Sequence, residues 1–166
     1  GAFDNCLWDI AGKAAGLPVY VLMGKAREQA PAYYNISGRS VHDAVEDSIR
    51  AVSQGFPALK DHFLQEPRTN IAWFSAIREA VGHGVDLMHD PVGLYSYDEA
   101  IFVGRALEDL QFTWLEEPLP DVRQNELQVL CDSLKIPILN PESMTTDIDL
   151  SAQWLISGTT DKLRAS

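Results

Sequence analysis

A chain of 166 residues fits a single domain, and 46% hydrophobic with 22% charged residues excludes a disordered tail, a collagen-like repeat and a coiled coil. With 13 basic against 24 acidic residues the formal net charge is −11. Nucleic acid and anionic membrane surfaces are therefore not expected partners, because both recruit basic patches, whereas cation binding suits this balance.

The chain opens without Met, in a segment that reads as a helix over residues 3–14. The longest apolar stretch, around 17–23, is far too short to span a bilayer. A short strand is predicted over 32–36. Val41, Ala44, Val45, Ile49 and Val52 then follow helical periodicity, with Ser40 as N-cap and Gly55 as stop. A strand follows over 58–63, then a second helical stripe of Ile71, Phe74, Ile77 and Val81 that Gly82 ends. Next come a strand over 85–88 and a stripe of Ala100, Val103, Gly104, Leu107 and Leu110. Ser96 caps that helix and Glu99 completes a capping box. A strand over 112–115, a helix carrying Leu127, Leu130, Cys131 and Leu134, and a strand over 136–139 follow. A shorter helix spans 148–156, capped near Thr146 or Asp147. The chain stops at Arg164-Ala165-Ser166 without a helix cap, so it is expected to be a piece of a longer protein. Cys6 and Cys131 form no CxxC pair and read as two reduced core cysteines of a cytoplasmic protein.

Strand and helix alternate five times with short connections, which is a βα-repeat α/β architecture with parallel strands buried on both faces. No Gly-x-Gly-x-x-Gly follows a strand, so a dinucleotide fold lacks its fingerprint. An open doubly wound sheet and a (β/α)8 barrel both fit. A whole barrel needs roughly 250 residues, so this chain would hold about five of its eight units.

The strand ends carry the chemistry. The second predicted strand ends in Lys60-Asp61-His62, the third in His89-Asp90 and the fourth in Glu116-Glu117-Pro118. Asn140-Pro141-Glu142 follows the fifth. Asp90, Glu116 and Glu142 are spaced 26 residues apart, twice, which is the length of one βα unit. One carboxylate therefore stands at the same level of three consecutive strands, and in a barrel those ends converge on the catalytic face. Three converging carboxylates repel one another, and a divalent cation relieves that repulsion. All-oxygen ligation favours Mg²⁺ and permits Mn²⁺. The competing reading makes each acid a helix N-cap. Side chains alternate along a strand, so Lys60 and His62 face one way and Asp61 the other. Either Lys60 or His62 could take a proton from carbon, and Lys60 could instead form a structural ion pair with a carboxylate. His89 is expected to face the helices as a packing histidine, and Glu117 to lie outside the ligand set. His42 and His83 receive no role.

The segment from Ala2 through Gly24 resembles the helix that opens the barrel domain in the mandelate racemase and muconate lactonizing enzyme branch of the enolase superfamily. Trp114-Leu115-Glu116-Glu117-Pro118-Leu119 resembles the branch's WxEEP strand end. Pro137-Ile138 through Glu142-Ser143 resembles its fifth-strand segment ending in the third metal ligand. The resemblance implies a partial TIM-type (β/α) barrel over residues 1–166. The N-terminal capping domain and the last barrel strands would be absent. It implies Asp90, Glu116 and Glu142 as Mg²⁺ ligands and Lys60 as the first Lys of a Lys-x-Lys motif that also contacts substrate. His62 stands where the second Lys would be. The superfamily uses a Lys or His base, with Mg²⁺ stabilising an enediolate formed by removing the proton alpha to a carboxylate. The expected activity is that of a sugar-acid dehydratase, with a racemase, epimerase or cycloisomerase as alternatives. The substrate would be a small carboxylate, and the full-length protein a homo-oligomer. An inactive fragment or an interaction module is the alternative of another class. The isolated piece is expected to show no turnover, because the later strands carry the opposite acid or base. Three departures stand out: His62 for the second Lys, Pro91-Val92 where many members have an Asn two residues after the first ligand, and Asn140-Pro141 where a Gly-containing lead-in is commoner.

Overall fold

The computed structural model describes residues 1–142 and 147–164. The chain divides into two compact units, Gly1–Pro31 and Ala32–Ser166.

The first unit holds α1 (Ala2–Ala15) and the short α2 (Val19–Leu22). Gly16 ends α1 in the left-handed conformation at φ 65°, a geometry that glycine adopts without a Cβ penalty. Leu17 N–H then bonds back to Gly12 O at 3.0 Å. A Cβ on Gly12 would stand 2.9 Å from Leu17 O, so the turn closes only over glycine. Cys6 is exposed, which corrects its reading as a core residue. The α2 turn was not foreseen, since four residues are too few to show a helical stripe.

In the second unit, five strands alternate with helices: β1 (Tyr34–Asn35), α3 (Val41–Ser53), β2 (Ala58–Asp61), α4 (Pro67–Val81) and β3 (Asp86–His89). Then come α5 (Tyr97–Asp109), β4 (Trp114–Glu116), α6 (Gln124–Ser133), β5 (Ile138–Leu139) and α7 (Ile148–Ile156). All strand pairs are parallel, and the spatial order is β1-β2-β3-β4-β5. A doubly wound sheet reverses its strand order at a switch point. This sheet does not, so it has the arrangement of consecutive barrel units. After α7 the chain returns beside β5, where Leu139 bridges Lys162 in parallel.

Local chemistry explains most boundaries. Ser40 accepts from Asp43 N, and Ser96 with Glu99 forms the full capping box. Asp147 accepts from Leu150 N, while Thr146 lies outside the described residues. α4 begins a turn before its apolar stripe, because Pro67 sits in its first turn and Glu66 accepts from Arg68 N and Thr69 N. Four of the strands are shorter than predicted, two residues each at β1 and β5, while β3 keeps its length and shifts by one residue.

Strand parity sorts the side chains. Leu59, Leu87, Leu115 and Ile138 are almost fully buried in one core with Phe74, Ile77, Val103, Leu107 and Leu127 from the helices. Burying one such side chain contributes roughly 1.5–3 kcal/mol. Lys60, Met88 and Trp114 are register partners and so share the opposite face of the sheet. Buried Arg78 closes the lower layer by donating to the carbonyls of Leu110, Gly82, Val85 and Gln111 at 2.7–3.0 Å.

Candidate active site

The ends of β2, β3 and β4 deliver charged side chains, because the last in-facing residue of a strand stands at the sheet's rim. At β2, Lys60 Nζ lies 3.0 Å from Asp90 Oδ2 and 2.9 Å from Glu116 Oε2. The three side chains are only 3–4% exposed. His62 Nε2 lies 3.1 Å from the same Asp90 oxygen, with the ring about two-fifths exposed. Asp90 Oδ1 accepts from Val92 N at 2.9 Å. Trp114 Nε1 donates to Glu116 Oε2 at 3.2 Å. Arg164, beyond the β5 bridge, donates to Glu116 Oε1 at 3.1 Å and pairs with Glu142 Oε1 at 2.8 Å. By contact the rim therefore reads Asp90, Lys60, Glu116, Arg164, Glu142, with anion and cation interleaved.

Asp90, Glu116 and Glu142 are thus bridged by Lys60 and Arg164 in place of a bare three-acid cluster. Among the described residues, no group of three His, Cys, Asp or Glu lies close enough to hold a metal ion. The N-caps of α5, α6 and α7 are Ser96, Arg123 and Asp147, so these acids do not cap the helices that follow them. Arg164 was not anticipated. It follows no strand-end motif in the sequence and stands in the last three residues of the chain.

The rim still carries surplus negative charge. Glu117, 8% exposed, joins it. Burial first, then the charge of Glu142 and a hydrogen bond with it, push the Glu117 carboxyl up to about 7. Alternation along β4 had placed Glu117 with the helices. Its backbone leaves the strand at φ 42°, a left-handed value, so alternation no longer applies there. Val92 is also left-handed, at φ 54°. Non-glycine residues in this region store strain, and here both follow an acid-bearing strand end. A cavity of about 610 Å³ opens among Val92, Gly93, Glu117, Leu119, Asp121 and Glu142. Another, about 490 Å³, lies beside His62 with Asn35, Ser37, Phe63 and Gln65 in its wall.

Burial alone would lower the Lys60 ammonium, but hydrogen bonds and charges from Glu116 and Asp90 outweigh it and raise its pKa. Lys60 is therefore held as a fixed cation, whereas the His62 ring is partly exposed at the rim. Asp61 and His89 face the helices, where His89 Nδ1 lies 2.7 Å from Asp61 Oδ1. His42 is an exposed residue beside Glu46.

The carboxylate oxygens form a hard, all-oxygen donor set, and two of the three bridges between them are already made through cations. The donor chemistry is that of a hard divalent ion, while Lys60 and Arg164 now hold oxygens that such an ion would take.

Residues 43–165 match the family model described as enolase C-terminal domain-like. The chain is 30% identical over 148 residues to an arabinonate dehydratase of Saccharolobus solfataricus, covering 86% of this chain and 40% of that one. It is 29% identical over 150 residues to an L-Ala-D/L-Glu epimerase of Clostridium acetobutylicum, covering 89% and 42%. A crystal structure of D-glucarate dehydratase from Agrobacterium tumefaciens, complexed with magnesium, superposes with a TM-score of 0.89 at 32% identity. It covers 96% of this chain and 45% of that one. The chain spans about two-fifths of the length of these curated relatives. With its sequential parallel strands and its acid-bearing strand ends, the chain belongs to the enolase C-terminal domain-like family, in the mandelate racemase and muconate lactonizing enzyme branch.

Proposed function

We propose that this chain supplies half of the active site of an enzyme that removes the proton alpha to a substrate carboxylate, acting as a sugar-acid dehydratase. The observation that carries the reading is the interleaved row at the rim, with His62 seated on Asp90 at its open end. Three consecutive strand ends that differ elsewhere in sequence place the carboxylates of Asp90, Glu116 and Glu142 within reach of shared cations. Dehydratases and an epimerase among the relatives support the same chemistry.

Asp90, Glu116 and Glu142 would hold Mg²⁺, with Mn²⁺ as a substitute of the same ligand preference. When bound, the ion supplies Lewis-acid stabilisation of charge on a substrate carboxylate. Two residues of this chain act beside it. Lys60, charged and locked between Asp90 and Glu116, presents a fixed positive field where negative charge develops, and it needs no reorganisation to do so. His62 takes the alpha proton, since its ring is accessible and Asp90 orients it. Handing that proton to the departing β-hydroxyl releases water, so the elimination balances without another reagent. The cavity beside His62, walled by Asn35, Ser37 and Gln65, offers hydrogen-bonding groups to the hydroxyls of a sugar acid.

The test is turnover of a sugar-acid panel by the whole protein with Mg²⁺, in the parent and in Glu116→Gln. The parent should release 2-keto-3-deoxy acids. Glu116→Gln should lose at least about a hundredfold in kcat while keeping its fold. Full activity of Glu116→Gln with added Mg²⁺ would sink the site assignment. Alpha-proton exchange without loss of water would move the reading to an epimerase.

A further inference from the structure

We infer that Asp61, His89, Tyr95 and Asn70 form a buried polar strut that positions His62 against Asp90. The inference rests on the catalytic reading of His62 given above. Asn70 Nδ2 lies 3.0 Å from Tyr95 Oη, Tyr95 Oη lies 2.8 Å from His89 Nε2, and His89 Nδ1 lies 2.7 Å from Asp61 Oδ1. One proton arrangement satisfies these three links. Asn70 donates to the phenol oxygen, the phenol donates to His89 Nε2, and His89 Nδ1–H donates to the Asp61 carboxylate. The four residues come from α4, the β3–α5 loop, β3 and β2. None is more than 7% exposed, and Asn70 and His89 are fully enclosed.

The strut ends on the segment that carries His62. Asp61 Oδ1 accepts from Phe63 N at 3.0 Å, and Asn70 Nδ2 also reaches Phe63 O at 3.0 Å and Gln65 O at 3.2 Å. The residues on both sides of His62 are therefore tied from behind the sheet. The Asp61 carbonyl accepts from Asp90 N at 3.1 Å, so the same strand end is also pinned to the carboxylate that His62 touches. The side chain of His62 projects into the open, and Leu64 is 54% exposed, so the outer side offers little restraint.

Stability alone does not call for these groups. His89 packs against Phe74 and Tyr95, and apolar side chains of similar volume would pack there at least as well as a buried charged network. A buried network that links four side chains through directional hydrogen bonds instead fixes one geometry, even with Asn70 Oδ1 left without a partner. In an active site a displacement of about 1 Å costs up to roughly a hundredfold in rate. Asp61, His89, Tyr95 and Asn70 touch no substrate position and act through His62, so they are positioning residues.

The test uses the intact protein. Tyr95→Phe keeps the ring that packs on His89 and removes only the bridging hydroxyl. Its Phe63 amide should exchange about tenfold faster than the parent's. Its kcat should fall about tenfold, with KM and Mg²⁺ affinity within about twofold of the parent. Asp61→Ala should lose more, and Asp61→Asn, which keeps an acceptor for Phe63 N and His89, should recover most of that loss. Unchanged exchange at Phe63 would overturn the strut. Faster exchange with unchanged kcat, or Asp61→Asn as impaired as Asp61→Ala, would overturn positioning. A parent protein without turnover overturns the catalytic reading itself, and the exchange arm then still reports whether the strut holds residues 62–65.

Discussion

Lys60→Met isolates the energetics of the rim. The Lys60 ammonium bridges two carboxylates at 3.0 and 2.9 Å, and all three side chains are at most 4% exposed. Removing one partner of a buried ion pair costs about 3–5 kcal/mol, because the charge left behind stays desolvated. Here the remaining partners reduce that cost. Asp90 keeps Val92 N and His62, and Glu116 keeps Trp114 Nε1 and Arg164. The loss should therefore fall near the lower end, about 3 kcal/mol, or roughly 6–12 °C in Tm for a domain of this size. Urea denaturation followed by circular dichroism in EDTA reads it directly. Mg²⁺ should then narrow the gap between parent and variant, since the ion restores positive charge that only the variant lacks; at a hundred times Kd a ligand adds about 2.7 kcal/mol. A loss below about 1 kcal/mol in EDTA, or a gap that Mg²⁺ leaves unchanged, would refute the rim as a charge-balanced cation site.

Three further outcomes follow from single contacts. Arg78→Met leaves four carbonyls without their donor, and the denaturation midpoint should report a loss of about 2–4 kcal/mol. The Glu117 carboxyl, pushed up to about 7 from an ordinary 4.5, binds its proton more tightly folded than unfolded. Its stabilising contribution is complete below about pH 4.5 and is lost as pH rises through 7. Glu117→Gln should therefore gain stability relative to the parent between pH 5 and pH 8, by at most about 3 kcal/mol in metal-free buffer; a gap independent of pH would contradict this. Burial pushes the Cys131 thiol up to about 12, while Cys6 is exposed. A thiol reagent at pH 7.5 should modify Cys6 in the native protein and Cys131 only after unfolding.

The helices were legible because burial of one face imposes a 3.6-residue rhythm on residues such as Val103 and Leu107. Their starts were legible where a cap has its own chemistry, as at Ser40 and Ser96. The start of α4 was not, because its signals, Pro67 and Glu66, lie outside the apolar stripe. The rim acids were legible from their 26-residue interval, which the βα repeat imposes on equivalent strand ends. Alternation also placed Lys60 with His62 and turned Asp61 and His89 toward the helices, as the contacts show. The pairing of Asp61 with His89 stayed hidden, because it depends on the β2–β3 register, which aligns those two residues across 28 positions of sequence. Glu117 escaped because alternation holds only while the backbone stays extended. Arg164 escaped because its contacts depend on a return beside β5 through an isolated bridge that no local pattern announces.

Anomalous diffraction from crystals grown with Mn²⁺ in place of Mg²⁺ tests most directly whether Asp90, Glu116 and Glu142 share one cation. One peak is expected, with an oxygen from each of the three carboxylates at about 2.0–2.2 Å and with the Arg164 guanidinium withdrawn from Glu116 and Glu142. No peak at millimolar Mn²⁺ with Arg164 still bridging, or separate peaks on single carboxylates, would contradict a shared site.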